Sequence, residues 1–181
     1  MEEIPYVNIS AQWCEEKEEL LPIVEKVLAS GQYVGGEEVS KFERTVSEAF
    51  KVEHVVAVNS GTDALILGLS ALGIGVGDEV ITPPNSFIAS TSAIVHVGAK
   101  PVFVDVSLDF NIDPNRIEEA ITKKTKAIIF IDYGGNPSDI DKINGIGSKY
   151  DIPILQDAAQ SLGGIYKGKN IGANGKLSTV S

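Results

Sequence analysis

Short apolar runs alternate with amphipathic stretches along this chain, and that alternation leaves few folds open to it. The runs lie at 55–58, 79–82, 101–105, 127–131 and 153–156. Each is bounded by Gly, Pro or Asp, the pattern of strands buried on both faces. Helical periodicity fills the gaps at 62–72, 86–97, 114–121 and 138–150. Asp113-Pro114 opens one of these helices with an N-cap acceptor and a proline in the first turn. Strand, helix and strand recurring at intervals of roughly 25 residues imply right-handed crossovers on a mostly parallel sheet. We therefore expect an α/β fold, a three-layer αβα arrangement with helices on both faces of the sheet. Two more helices, at about 15–30 and 37–50, precede the first run. Pro22 predicts a kink or a late start in the first of them. The expected organisation is an N-terminal helical segment over 1–35 and one α/β domain over 36–181.

Composition narrows the function classes. With 43% apolar and 22% charged residues over 181 positions, the chain can build a globular core. Fifteen basic against twenty-five acidic residues give a net charge of -10, which argues against a non-specific nucleic-acid or anionic-membrane binder. The single cysteine, Cys14, excludes an internal disulfide framework and a cysteine zinc site within one chain. His54 and His96 lie far apart, so no metal is expected. Met1-Glu-Glu-Ile-Pro5 lacks the basic flank and apolar core of a signal peptide. The uncharged stretch 80–99 carries two prolines, Asn85, His96 and several hydroxyls, too polar for a membrane span. These features point to a soluble, cytoplasmic protein.

Three glycine patterns carry no ligand chemistry. Gly73-Ile-Gly-Val-Gly77 follows a helix and precedes a strand, the reverse of a dinucleotide fingerprint, and reads as a helix-ending turn. Gly163 to Asn170 approaches a P-loop, but Asn170 stands where a metal-binding hydroxyl is required and no apolar helix follows. Gly145-Ile-Gly147 falls inside a helix without an evident role.

Three other features gather at one edge of the expected sheet. Asn59-Ser-Gly-Thr-Asp63 follows an apolar run and opens a helix, so its N–H groups and hydroxyls suit a phosphate, although capping alone also explains them. Asp157 ends an otherwise buried strand, where a carboxylate must be paired or hydrogen-bonded, so it is expected to need a cationic partner; its structural alternative is a cap to the next turn. Asp105, by contrast, reads as a loop or cap residue. Phe87 follows the strand that ends at Thr82 and could stack on a ring or simply belong to the core. A helix terminus for phosphate, an aromatic for stacking and an acid for a ring nitrogen are what a pyridoxal phosphate site requires. Composition and spacing alone do not single out that ligand.

Along nearly its whole length the chain resembles the DegT/StrS sugar aminotransferases, a branch of the type I pyridoxal phosphate aminotransferases. The resemblance rests on Ile4-Pro-Tyr-Val7, Ser30 to Val39, Ser60-Gly-Thr-Asp-Ala-Leu65, Gly75 to Pro83, Phe87-Ile-Ala89, Gly98 to Asp105 and Asp157-Ala-Ala-Gln160, all in family order. It implies that the α/β region is the large domain of that fold and that pyridoxal 5′-phosphate is the cofactor. Gly61, Thr62 and Ser181 would hold the phosphate, and Phe87 would stack on the pyridine. Asp157 would pair with the ring nitrogen and Gln160 with the phenolic oxygen. It further implies a homodimer, a nucleotide-linked keto sugar as substrate and glutamate as amino donor. One stretch departs from the pattern: Asp132-Tyr-Gly-Gly-Asn-Pro137 replaces the common His-Leu-Tyr-Gly type, which bears on substrate choice.

The family's Schiff-base lysine should follow Ser181, so the chain is expected to be the first half of a family member, inactive by itself, without the C-terminal small domain. Lys167, Lys169 and Lys176 lie in a polar run and read as surface residues. Two alternatives stand beside the transferase. One is a dehydratase of the same family, which uses the cofactor without the lysine; the other is a non-catalytic remnant that binds a partner.

Overall fold

The structure, a computed structural model, describes residues 5–181. The opening residues, on which the absence of a leader and the start of the Ile4–Val7 stretch were read, lie outside the described residues. The described chain falls into two compact units, one ending at Arg44 and one running from Thr45 to Ser181.

In the first unit, α1 runs Ile9–Ser30. Asn8 caps it by accepting from the Ala11 N–H at 3.1 Å, and Gly31 ends it in the left-handed conformation at φ 69°. Pro22 neither delays nor divides this helix. The carbonyl of Glu18, which loses its donor there, lies on an exposed residue that water reaches. No residue of α1 is buried, and Trp13, Leu21 and Leu28 are exposed along it. The next helix, α2 (Glu37–Phe50), carries Glu37 and Glu38 in its first turn, and both pair with Lys26.

The second unit holds α3 (Gly61–Ala71), β1 (Glu79–Thr82), α4 (Ala89–His96), β2 (Lys100–Phe103), α5 (Pro114–Ala120) and β3 (Thr125–Ile131). A 3-10 turn at Tyr133–Gly135 follows, then α6 (Ile140–Tyr150) and β4 (Ile154–Asp157). A two-residue hairpin pairs β5 (Ile165–Tyr166) with β6 (Lys169–Asn170), and β7 (Leu177–Thr179) closes the order. Five strands form one sheet in the order β2-β1-β3-β4-β7, every neighbour parallel. The α/β expectation holds.

Strand β3 explains the three layers. Ala127 and Ile129 face the cluster built with Leu65, Leu69 and Ile94 of α3 and α4. Ile128 and Phe130 face the opposite cluster, with Ile117 of α5 and Ile143 of α6. Burying each such aliphatic or aromatic side chain contributes about 1.5–3 kcal/mol. Gly147, without a role in the sequence reading, lets α6 approach the sheet. A Cβ there would lie 2.7 Å from Ile154 Cγ1 and 2.8 Å from the Ile152 carbonyl.

The structure corrects three boundaries. Residues 55–58 do not form a strand, and Val56 and Val58 are exposed. An apolar run becomes a strand only where an edge accepts its N–H and C=O groups. The helix expected from Ser86 starts at Ala89. Asn85 is drawn instead to the Phe110 carbonyl, and the Ser86 hydroxyl to that of Ser90. The helix expected from Ser138 starts at Ile140, since the Ser138 N–H and hydroxyl bond to Asp132 Oδ1 and the Ile131 carbonyl. The rejected P-loop stretch is the β5–β6 hairpin with its flanks, turning through Lys167 and Gly168 at positive φ.

Among the described residues, no helix is long and apolar enough to cross a membrane, and no group of three His, Cys, Asp or Glu side chains is placed to hold a metal.

Candidate functional site

Because all five strands run parallel, their carboxyl ends share one edge of the sheet. The strand order turns back at β1, with β2 to one side and β3 to the other, and such a point opens a crevice above the strand ends. Phe87 lies in the β1–α4 connection, Asp157 ends β4, Gln160 follows it, and Ser181 lies two residues beyond β7. The N-terminus of α3 reaches the same edge, for a Cβ on Gly61 would stand 3.0 Å from Ser181 Cβ and 3.4 Å from its Oγ.

At that helix start, Ser60 takes the extended conformation and its Oγ accepts from the Asp63 N–H at 3.1 Å. The Ser60 carbonyl accepts from Ala64 at 2.9 Å. Capping is therefore real at Ser60, and it leaves the Gly61 and Thr62 N–H groups without intrahelical acceptors at the positive end of the helix dipole. A side chain on Gly61 would crowd the space shared with Ser181. The donor set of two N–H groups and two hydroxyls suits an anion.

Asp157 is buried, and its carboxylate accepts from Ser90 Oγ at 3.0 Å and from the Ala159 N–H at 3.3 Å. The Ala159 bond is the cap to the following turn, the structural alternative for this residue. Burial pushes the carboxyl above the ordinary aspartate range; the Ala159 and Ser90 bonds oppose the shift and the charge of Asp132 adds to it. No lysine, arginine or histidine among the described residues pairs with it. A buried acid with hydrogen bonds but no counter-ion suits a cationic ligand group.

Gln160 is exposed, and its Oε1 accepts from the Gly134 N–H at 2.7 Å, which leaves its Nε2 as a free donor. Gly134 takes φ 61°, a conformation glycine adopts without strain. Phe87 is 69% exposed, so it belongs to no core and its ring is open to a ligand. Asp105 lies in a loop, exposed and paired with Arg116. His54 and His96 are both exposed.

The structure thus joins Gly61 to Ser181, Asp157 to α4 and Gln160 to the turn after β3. Sequence reading missed Ser90 and Gln156. The Ser86–Ser90 spacing, four residues apart on a helical stretch, was the available signal for the first. For Gln156 there was only its polarity within an apolar strand.

The chain is 41% identical over 179 residues to the UDP-2-acetamido-2-deoxy-3-oxo-D-glucuronate aminotransferase of Pseudomonas aeruginosa, covering 98% of this chain and 49% of that protein. The solved structure of S. venezuelae DesV in complex with a ketimine intermediate superposes at a TM-score of 0.94 with 38% identity, over 99% of this chain and 48% of that one. The PLP form of the putative sugar aminotransferase Spr1654 from Streptococcus pneumoniae aligns at a TM-score of 0.85 with 36% identity, over 89% and 45%. The chain spans about half the length of the curated relatives it matches. Residues 14–181 match the model of the DegT/DnrJ/EryC1/StrS aminotransferase family, and the chain belongs to that family.

Proposed function

We propose that this chain is the cofactor-binding part of a pyridoxal-phosphate-dependent aminotransferase. It acts on a nucleotide-linked keto sugar in amino-sugar biosynthesis, with glutamate as amino donor. The observation that carries this reading is Asp157, a buried carboxylate at a strand end, hydrogen-bonded yet without a cation among the described residues. The Pseudomonas aeruginosa relative named above is an aminotransferase of a UDP-linked oxo sugar, and the putative sugar aminotransferase Spr1654 is solved in its PLP form.

When bound, the cofactor supplies an electron sink for charge developing on the substrate carbon. The chain's own residues do the rest. Gly61, Thr62 and Ser181 hold the phosphate, through N–H groups at a helix N-terminus and through hydroxyls. Phe87 covers one face of the ring. Asp157 keeps a proton at the ring nitrogen, and Ser90 orients Asp157. Gln160, with Oε1 fixed by Gly134, donates from Nε2 to the phenolic oxygen. The family's Schiff-base lysine would have to lie in sequence following Ser181. The remaining features of the reading are a helical segment over 1–35, a large domain over 36–181, a cytoplasmic location and a homodimer in the full-length protein.

Pyridoxamine 5′-phosphate is the probe for this chain, because its binding needs no covalent lysine. Calorimetric titration is expected to give saturable one-to-one binding that Asp157→Ala weakens at least tenfold. Binding indifferent to Asp157, or none by the folded chain, overturns the assignment of the site.

A further inference from the structure

Asp132, which ends the run Ala127 to Asp132, has no part in the cofactor contacts above. It sits one residue past Ile131, the register partner of Asp157, and its N–H donates to the Asp157 carbonyl at 3.3 Å. It is fully buried. A substrate therefore cannot touch it, and the departure of this stretch from the family pattern has to act through something else.

Three donors surround its carboxylate. Oδ1 accepts from the Ser138 N–H at 2.9 Å, and Oδ2 accepts from Gln156 Nε2 at 2.7 Å and from Ser161 Oγ at 3.1 Å. The orientation of the Gln156 amide is fixed from its far end, where Oε1 accepts from the Gly172 N–H at 3.2 Å and Ser178 Oγ at 3.3 Å. Gln156 must therefore present its NH2 to Asp132. The Ser138 hydroxyl is committed to the Ile131 carbonyl at 2.9 Å. The anion fits all three donors, whereas a protonated Asp132 finds an acceptor in Ser161 Oγ alone, and only when that hydroxyl turns to the Ala158 carbonyl at 3.3 Å. Burial opposes that charge and pushes the carboxyl above its ordinary range, with the hydrogen bonds of Ser138, Gln156 and Ser161 pulling the other way.

We propose that Asp132 is a positioning residue of this site, an anion buried behind Asp157 that raises the negative potential at that carboxylate and fixes the turn carrying Gln160. The turn is held twice, by Ser161 on Asp132 itself and by Gly134, two residues on, whose N–H fixes Gln160 Oε1. Like charges at adjacent strand ends make each carboxyl harder to ionise and make a cation between them and the crevice more welcome. Around Asp157, α4 contributes Ser90, the following turn contributes the Ala159 N–H, and β7 contributes no titratable side chain. Among the described residues, Asp132 is the charged group that acts on it.

The role toward a bound ring nitrogen rests on the cofactor reading, but the coupling is measurable without cofactor. Carboxyl-labelled aspartate in the full chain reports the titration of Asp157 by NMR. In Asp132→Asn its midpoint is expected to fall by about half to one pH unit. The double variant Asp132→Asn with Gln156→Glu returns an anion to the network and reverses the amide–carboxylate bond, so most of the shift should return. A folded Asp132→Asn whose Asp157 curve matches the wild type overturns the proposal, since a merely structural role lowers stability and leaves that curve in place. Should the single variant not fold, the wild-type curve decides. Coupling gives the Asp157 signal a second inflection at the midpoint of Asp132, and a single inflection overturns the proposal. Coupling present while pyridoxamine phosphate fails to bind sinks the cofactor reading and spares the pair; binding without coupling does the reverse.

Discussion

Two sets of acids obey opposite rules. Beyond β2, Asp105 is exposed, bonds to the Val106 N–H at 2.8 Å and pairs with Arg116 at 3.5 Å, while Asp113 pairs with the same arginine at 3.5 Å. At the ends of β3 and β4, Asp132 and Asp157 are buried, receive five hydrogen bonds between them and have no cation among the described residues. The first set is screened by water and already neutralised, so each pair contributes about 0–1 kcal/mol. The second set bears a desolvation cost that nothing in the described residues offsets in charge. An acid that has its counter-ion has completed a structural task. A buried acid without one is poised for a cationic ligand group.

The sharpest way to break this contrast is a paired substitution. Asp157→Ala should cost at least tenfold in pyridoxamine phosphate affinity, and Asp105→Ala should leave it within twofold. Equal losses in calorimetric titrations would show that burial is irrelevant to the site. Next in size is a pH effect. The raised carboxyl of folded Asp157 binds protons more readily than the unfolded chain does. Its stabilisation is therefore complete below the ordinary aspartate pKa and is lost as pH rises through the raised native value. Asp157→Asn should accordingly gain stability over the wild type between pH 4 and pH 7.5, by on the order of 1 kcal/mol, in urea titrations at the two values. A gap that is constant with pH contradicts the raised native value.

Thr82 extends the comparison to a neutral group. It ends β1 fully buried, and its hydroxyl finds no hydrogen-bond partner among the described residues. Thr82→Val should leave stability unchanged or raise it by up to about 1 kcal/mol in thermal melts. A loss larger than that would reveal a bond the hydroxyl makes on binding or in motion. The smallest effect belongs to the exposed set. Arg116→Ala should move stability by less than about 0.5 kcal/mol, and that difference should shrink further in 1 M salt.

Much of the fold could be read from the chain because its signals are local. The run over Ala127 to Ile131 has no polar break, so it can only be buried on both faces, and it became the central strand. Asp113 and Pro114 mark a helix start through their own backbone chemistry. The run at 55–58 looks equally strand-like, yet strand formation depends on a neighbour that no property of those four residues supplies. The roles of Ser90 and Gln156 were hidden for the same reason. A serine 67 residues from Asp157, and an amide whose orientation is set from Gly172 and Ser178, become meaningful only once remote strands are side by side.

Local periodicity determined the alternation of strands and helices, and with it a parallel sheet whose strand ends share an edge. It also determined that Asp157 and the Ser60–Asp63 stretch would come to that edge, because each directly follows or opens an element of known direction. Packing alone settled that Gly61 meets Ser181, that Asp157 pairs with no cation among the described residues, and that Asp132 lies buried behind it. The physical reason is range. Periodicity and capping act within a few residues, whereas desolvation and charge depend on everything packed around a group, whatever its distance along the chain.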